Sequence, residues 1–105
     1  MFGRRRKTVW MARLEGDQGL PLYEGPLERL HFDESCVLAL SVEFFDDPSP
    51  CEIHRSAVIL RAIEEIRAAC TSADPLPVSG LNERIRGLLG AYPQASTVRV
   101  WEQQG

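Results

Sequence analysis

The stretch SCVLALSVEFF, from Ser35 to Phe45, carries the clearest periodic signal in the chain. Apolar side chains occupy every second position, and the remaining positions are mixed, with Ser41 and Glu43 among apolar residues. A period of two is typical of a β-strand with one buried face. The pattern therefore predicts a central strand whose second face is partly wet or covered by a partner. Its first face holds Cys36, Leu38, Leu40, Val42 and Phe44.

Three further strands are predicted around this segment. Thr8 to Glu15 begins with β-branched and aromatic residues and closes at a loop with two glycines. Thr97 to Glu102 alternates between apolar and other residues. Pro21 and Pro26 cannot donate to a ladder, so pairing after the first turn is expected only over Leu27 to Phe32, at an edge or after a bulge.

Two helices are predicted between the third and fourth strands. The first begins with Ser49 as N-cap and Pro50 at the first helical position, and Glu52 completes a capping box. The second begins with Ser79 as N-cap, after a loop from Thr71 to Val78 that contains two prolines. The buried side of the first helix is predicted from apolar residues at spacings of three and four, namely Ile53, Ala57, Leu60, Ile63, Ile66 and Cys70.

The predicted elements follow the order β-β-β-α-α-β. This order indicates an α+β fold, a two-layer sandwich in which an antiparallel four-stranded sheet carries two helices on one face. A length of 105 residues with 44% hydrophobic and 26% charged side chains suits one domain, predicted over residues 8–105.

The composition also bears on the compartment of the protein. No apolar run approaches the ~20 residues that span a bilayer, and the basic start is not followed by the apolar core of a signal peptide. We therefore expect a cytoplasmic protein without a transmembrane segment. Cys36, Cys51 and Cys70 match neither a disulfide framework nor a zinc-binding pair, so we expect reduced thiols, mostly in or near the core.

A basic N-terminal arm precedes an acidic body. Residues 1–7 hold four basic side chains and no acidic one, whereas residues 8–105 hold eight basic and fifteen acidic side chains. The arm is expected to be flexible. It is interpreted either as a solvated terminus, as a contact for an acidic protein partner, or as a weak, salt-dependent contact for nucleic acid or lipid. The basic residues are Arg4, Arg5, Arg6 and Lys7.

One cluster of side chains suggests chemistry. Cys51 and His54 are three residues apart at the start of the first predicted helix, close to Asp46 and Asp47. Such a pair is compatible with an activated thiol or half of a metal site, and a purely structural role is the alternative. No second ligand pair with close spacing accompanies it, and no glycine-rich phosphate loop occurs. We therefore expect no metal and no cofactor, with Cys51 and His54 as weak catalytic candidates.

Three aromatic residues suggest an interface. Trp10, Phe45 and Trp101 are expected on the sheet face opposite the helices. A large exposed apolar patch usually marks an interface, so oligomerisation would cover it, although scattered exposed aromatic residues are also common.

The segment LNERIRGLLGAYPQASTVRVWE, from Leu81 to Glu102, resembles the ending of the tunnelling-fold pterin enzymes. These enzymes assemble small subunits into barrels, and Glu102 stands where their substrate-anchoring glutamate lies. The closely spaced metal-binding histidines of the synthase branch have no counterpart in this chain. The resemblance covers about a fifth of the chain, and it transfers neither activity nor site.

These observations favour a small interaction or regulatory module without catalytic activity, self-associating through a sheet face or edge. The expected partner-binding residues are Trp10, Trp101 and the four basic residues of the arm. Two alternatives stay open. One is a small oligomeric enzyme or enzyme subunit with a site between protomers, and the other is a weak nucleic-acid binder that uses the arm.

Overall fold

The computed structural model describes residues 8–70 and 74–104, so the basic arm lies outside the described residues. The described chain is mixed α+β with an antiparallel four-stranded sheet, as predicted. Its strands and helices are β1 (Thr8–Glu15), β2 (Pro21–Pro26), α1 (Glu34–Phe45), α2 (Glu52–Ala69), β3 (Leu76–Pro77), α3 (Glu83–Leu88) and β4 (Thr97–Gln104).

The sheet has the strand order β2-β1-β4-β3. β1 and β4 pair along their whole lengths, from Thr8 opposite Gln104 to Glu15 opposite Thr97. β2 is an edge strand and pairs with β1 only as far as Met11, which lies opposite Pro26. The described pairing therefore leaves residues 8–10 of β1 without a strand on the β2 side.

The second predicted strand is in the wrong place. The chain pairs at Pro21–Pro26, and Leu27–Arg29 forms a 3₁₀ turn in which the Leu30 N–H donates to the Leu27 carbonyl at 3.1 Å. A proline is tolerated at the ends of an edge strand, because one side of such a strand has no ladder hydrogen bonds to lose. The pairing predicted over Leu27 to Phe32, at an edge or after a bulge, is therefore wrong in its residues, and the observed β2 lies at an edge of the sheet.

The segment from Ser35 to Phe45 is a helix, and the predicted central strand is wrong. Asp33 is the N-cap of α1, and its Oδ1 accepts a hydrogen bond from the Cys36 N–H at 2.9 Å. The Ser41 hydroxyl donates to the Val37 carbonyl at 2.8 Å, one helical turn back. The buried residues are Val37, Leu40 and Ser41, which have helical spacing. Because the segment is apolar at most positions, it fits both periods, and the cap and packing decide for helix.

The predicted order of elements changes accordingly. The third strand of the sheet is Leu76–Pro77, a two-residue edge inside the predicted loop, which pairs with Val98 and Thr97 of β4. The observed order is β-β-α-α-β-α-β.

Both predicted helix starts also shift. The Ser49 N–H donates to Asp47 Oδ1 at 2.9 Å in a side-chain turn, so α2 begins only after Cys51. α3 begins after Asn82, whose Oδ1 accepts from the Ile85 N–H at 2.9 Å, whereas Ser79 lies in a 3₁₀ turn. In each case another polar side chain, Asp47 or Asn82, accepts a backbone hydrogen bond near the predicted helix start.

The core lies against one face of the sheet. Buried residues alternate along β1 and β4, and they share one apolar cluster with buried residues of all three helices. Each large apolar side chain that is fully buried contributes about 1.5–3 kcal/mol. The strand positions are Ala12, Leu14, Val98 and Val100. No described helix is long and apolar enough to cross a membrane.

Candidate interaction surface

Helices α1 and α2 expose an unusual number of large apolar side chains. In the described residues, six large hydrophobic side chains are exposed, and five of them belong to these two helices. Ile53 is 77% exposed, Leu60 61% and Leu38 50%. We call these five residues the α1–α2 apolar surface: Leu38, Val42, Phe45, Ile53 and Leu60.

The α1 part of this surface follows from the sequence of the helix. Leu38, Val42 and Phe45 have the spacing i, i+4, i+7, so they form one stripe beside the buried residues of α1. A helix that is apolar around most of its circumference is typical of a helix buried on more than one side. The described residues of the chain bury α1 on one side only.

On α2 the same surface occupies the side that faces away from the core. The buried residues of α2 are Val58, Ala62 and Ile66, whereas Ile53 and Leu60 point outward. The predicted buried stripe, which included Ile53 and Leu60, is therefore wrong for these two residues. The chain uses an alternative apolar stripe for its core and leaves two large side chains in water.

Aromatic stacking fixes the junction between the two helices. The Phe45 ring lies parallel to the His54 imidazole, with ring centroids 4.1 Å apart and an interplanar angle of 6°. His54 Nδ1 lies 3.4 Å from Asp47 Oδ2. The Nδ1 atom is buried and has no hydrogen-bond partner in the described residues. Asp46 ends α1 with a left-handed backbone conformation (φ 48°). These contacts hold Phe45 beside the start of α2.

Ion pairs join α1 to the other two helices. Arg55 of α2 binds Glu34 at the start of α1, and it also pairs with Glu52 at 3.2 Å. Arg84 of α3 pairs with Glu43 of α1 at 2.6 Å. All of these carboxylates are largely exposed, so each pair contributes about 0–1 kcal/mol.

Of the predicted chemical cluster, the structure brings together Asp47 and His54. Cys51 is exposed at the N-cap of α2, and its thiol makes no hydrogen bond with the His54 ring in the described residues. The described residues contain no group of three or more His, Cys, Asp and Glu side chains that could hold a metal ion.

The three thiols differ in environment. All three cysteines are free, with Cys36 half-buried, Cys51 exposed and Cys70 buried. Burial raises the pKa of the Cys70 thiol. For Cys36, burial and then the charge of Asp33 raise the pKa of the thiol.

The two tryptophans lie on opposite faces of the sheet. Trp10 is on the same side as Ala12 and packs against the core, whereas Trp101 lies opposite Met11 on the other side. The prediction that Trp10, Phe45 and Trp101 share one sheet face is therefore wrong. Trp10 and Trp101 differ by one residue in register, and a one-residue difference changes the face.

An arginine guanidinium lies over the ring of each tryptophan. The Arg67 guanidinium lies 4.3 Å from the ring centroid of Trp10, and that of Arg99 lies 5.4 Å from the ring centroid of Trp101. The basic residues predicted to bind partners through the arm lie outside the described residues.

Comparison with protein-family models, curated proteins and solved structures finds no match for this chain. The resemblance of residues 81–102 to the tunnelling-fold enzymes rests on a helix, a turn and a strand, which the structure has at α3 and β4. Function is therefore inferred from the geometry of the described residues.

Proposed function

We propose that the protein is a small interaction module that self-associates through the α1–α2 apolar surface. The observation that carries this proposal is that, of the six large hydrophobic side chains exposed in residues 8–70 and 74–104, five lie on α1 and α2. Large apolar side chains that are exposed on neighbouring elements usually mark an interface. Residues spaced i, i+4, i+7 on a helix are also the usual anchors of helix-mediated recognition.

A second copy of the chain is the partner that this surface fits. In a two-fold symmetric dimer the same patch faces itself, and an apolar patch is complementary to itself. The five side chains of the surface are uncharged, so no oppositely charged partner is required to neutralise them.

The expected affinity is modest. Five partly exposed side chains on each of two copies give on the order of 10 kcal/mol of transfer free energy, at about 1.5–3 kcal/mol for each fully buried side chain. Association costs about 4–15 kcal/mol in lost translational and rotational freedom and in side-chain ordering. We therefore expect a dimer with a dissociation constant on the order of tens of micromolar or weaker.

Sedimentation equilibrium of the full chain tests the proposal. Leu38→Glu and Leu60→Glu each place a carboxylate in the surface, and each is expected to convert the dimer to a monomer. Leu20→Glu is the matched control, because Leu20 is 55% exposed but lies outside α1 and α2. A monomeric wild-type chain, or equal dissociation by the control, would contradict the proposal.

A further inference from the structure

A cleft lies where β1 extends beyond its edge neighbour. The cleft has a volume of about 430 Å³ and lies between the start of β1, the 3₁₀ turn after β2, and α2. A second hollow of about 450 Å³ lies on the Glu64 side of Trp10 and Arg67. We call the first hollow the Trp10 cleft, which is lined by Thr8, Val9, Trp10, Leu27, Glu28, Ile63 and Arg67.

The backbone on one side of this cleft is open for pairing. β1 pairs with β4 from Thr8 onward, but the ladder with β2 stops at Met11 and Pro26. In the described residues, no other backbone hydrogen bond involves residues 8–10. A strand edge of this kind accepts an extended chain, which gains main-chain hydrogen bonds there.

The side chains of the cleft supply an apolar floor and one cation. Leu27 is fully buried and Ile63 is half-buried, and both pack with Trp10 in or against the core. Arg67 is held over the Trp10 ring at 4.3 Å, and no described carboxylate lies within ion-pair distance of it. A positioned guanidinium without an ionic partner favours a carboxylate, which it can bind through two parallel hydrogen bonds.

Two acidic residues limit the charge of the ligand. Glu28 lines the Trp10 cleft and Glu64 lines the neighbouring hollow. A polyphosphate chain would place several negative charges against these carboxylates, whereas a single carboxylate can meet Arg67 alone. The charge pattern therefore favours a peptide over a nucleic acid.

We infer that the Trp10 cleft binds an extended peptide segment as an added strand beside residues 8–10. In this arrangement the peptide residue opposite Trp10 projects to the side of the sheet where Arg67 lies, because directly opposed residues share a face. The peptide carries a glutamate or aspartate at one position for Arg67. Two residues away it carries an aliphatic side chain that reaches Ile63. This site shares no residue with the α1–α2 apolar surface, and its binding of a peptide does not require self-association.

Peptide titration of the ¹⁵N-labelled full chain, followed by NMR, tests the inference. The probe is the capped peptide Val-Glu-Val-Leu-Val, in which Glu and Leu project to the same side. Saturable shifts are expected at the amides of residues 8–10 and at the Trp10 indole. The same peptide with Gln in place of Glu is expected to bind about tenfold more weakly, as for loss of a hydrogen bond to a charged group. N-methylation of its central Val should remove binding if the backbone pairs.

Arg67→Gln provides the decisive comparison. This variant is expected to bind the Glu peptide about tenfold more weakly and to lose the preference for Glu over Gln. Arg86→Gln is the matched control, because Arg86 is an exposed arginine of α3 outside the cleft. Shifts elsewhere, or a preference for Glu that survives Arg67→Gln, would overturn the inference. Shifts at the cleft from single-stranded oligonucleotide but not from peptide would also overturn it.

Discussion

Gly87 offers a sharp test of how α1 packs in this fold. Gly87 lies within α3, and a Cβ atom added to it would stand 3.0 Å from the Cys36 Sγ of α1. An alanine in a helix is favoured over glycine by about 0.5–1 kcal/mol. Overpacking a close contact costs about 1–3 kcal/mol. The contact outweighs the helix propensity, so we expect Gly87→Ala to lower the free energy of unfolding by about 1 kcal/mol.

Removal of the Cys36 thiol should reverse the sign of this effect. In a Cys36→Ala background the crowding atom is absent, so Gly87→Ala should raise the free energy of unfolding by about 0.5–1 kcal/mol. The coupling between the two substitutions is then on the order of 1–3 kcal/mol. Such a coupling requires the Cys36 thiol to lie directly against Gly87 of α3.

Urea denaturation of the four proteins measures this coupling. The free energy of unfolding of each protein is obtained by linear extrapolation, and equal m-values confirm that the same transition is compared. If Gly87→Ala stabilises the wild-type and Cys36→Ala proteins equally, the close contact between α1 and α3 is refuted. The described packing of α1 against α3 at Gly87 would then be wrong.

Three further outcomes are expected. Asp33→Ala should lower the free energy of unfolding by about 1 kcal/mol in urea denaturation, because it removes the N-cap of α1, whereas Asp33→Asn should retain most of the stability. Iodoacetamide at neutral pH, followed by mass spectrometry, should modify Cys51 well before Cys36 and Cys70, because burial shields the latter two thiols and raises their pKa. The free energy of unfolding should fall as pH rises above the ordinary thiol pKa of about 8.5, because the folded state keeps thiol protons that the unfolded chain releases. Replacing Cys36 and Cys70 with alanine should make the free energy of unfolding less dependent on pH. Denaturation measured from neutral to alkaline pH tests this.

The two central strands of the sheet, β1 and β4, could be predicted because their two faces differ chemically. In β1 the sequence Ala12-Arg13-Leu14-Glu15 alternates between apolar and charged residues, and the apolar ones are buried. Only a strand places those residues on separate faces. The segment from Ser35 to Phe45 lacks this contrast, so strand and helix both give it an apolar face. The cap at Asp33 and the packing against α2 and α3 make this segment a helix. Neither can be read from the periodicity of apolar residues.

Helix starts were mispredicted for a related reason. Several residues near each start can cap a helix, and the side-chain turn made by Asp47 with Ser49 delays α2 by two residues. The edge strand β2 was mispredicted because its tolerance of proline depends on having a neighbour on only one side. That information belongs to the strand order and not to the segment itself.

The α1 part of the α1–α2 apolar surface was missed because the strand interpretation assigned its residues to a sheet. A signal for it was present, since Leu38, Val42 and Phe45 have helical spacing next to a second apolar stripe. Two apolar stripes on one helix indicate two packing partners. For Ile53 and Leu60, the choice between the apolar stripes of α2 depended on the packing of the whole domain.

Intermolecular NOE measurement on a mixture of isotope-labelled and unlabelled chains tests self-association through this surface most directly. Labelled methyl groups of Leu38, Val42 and Leu60 should show contacts with unlabelled protons of a second copy. Methyl groups of Val9 and Met11, which alternate with Trp10 and Ala12 and so lie on the sheet face opposite the core, should show none. Intermolecular contacts at Met11 instead of at the helices, or no intermolecular contacts at all, would contradict the account.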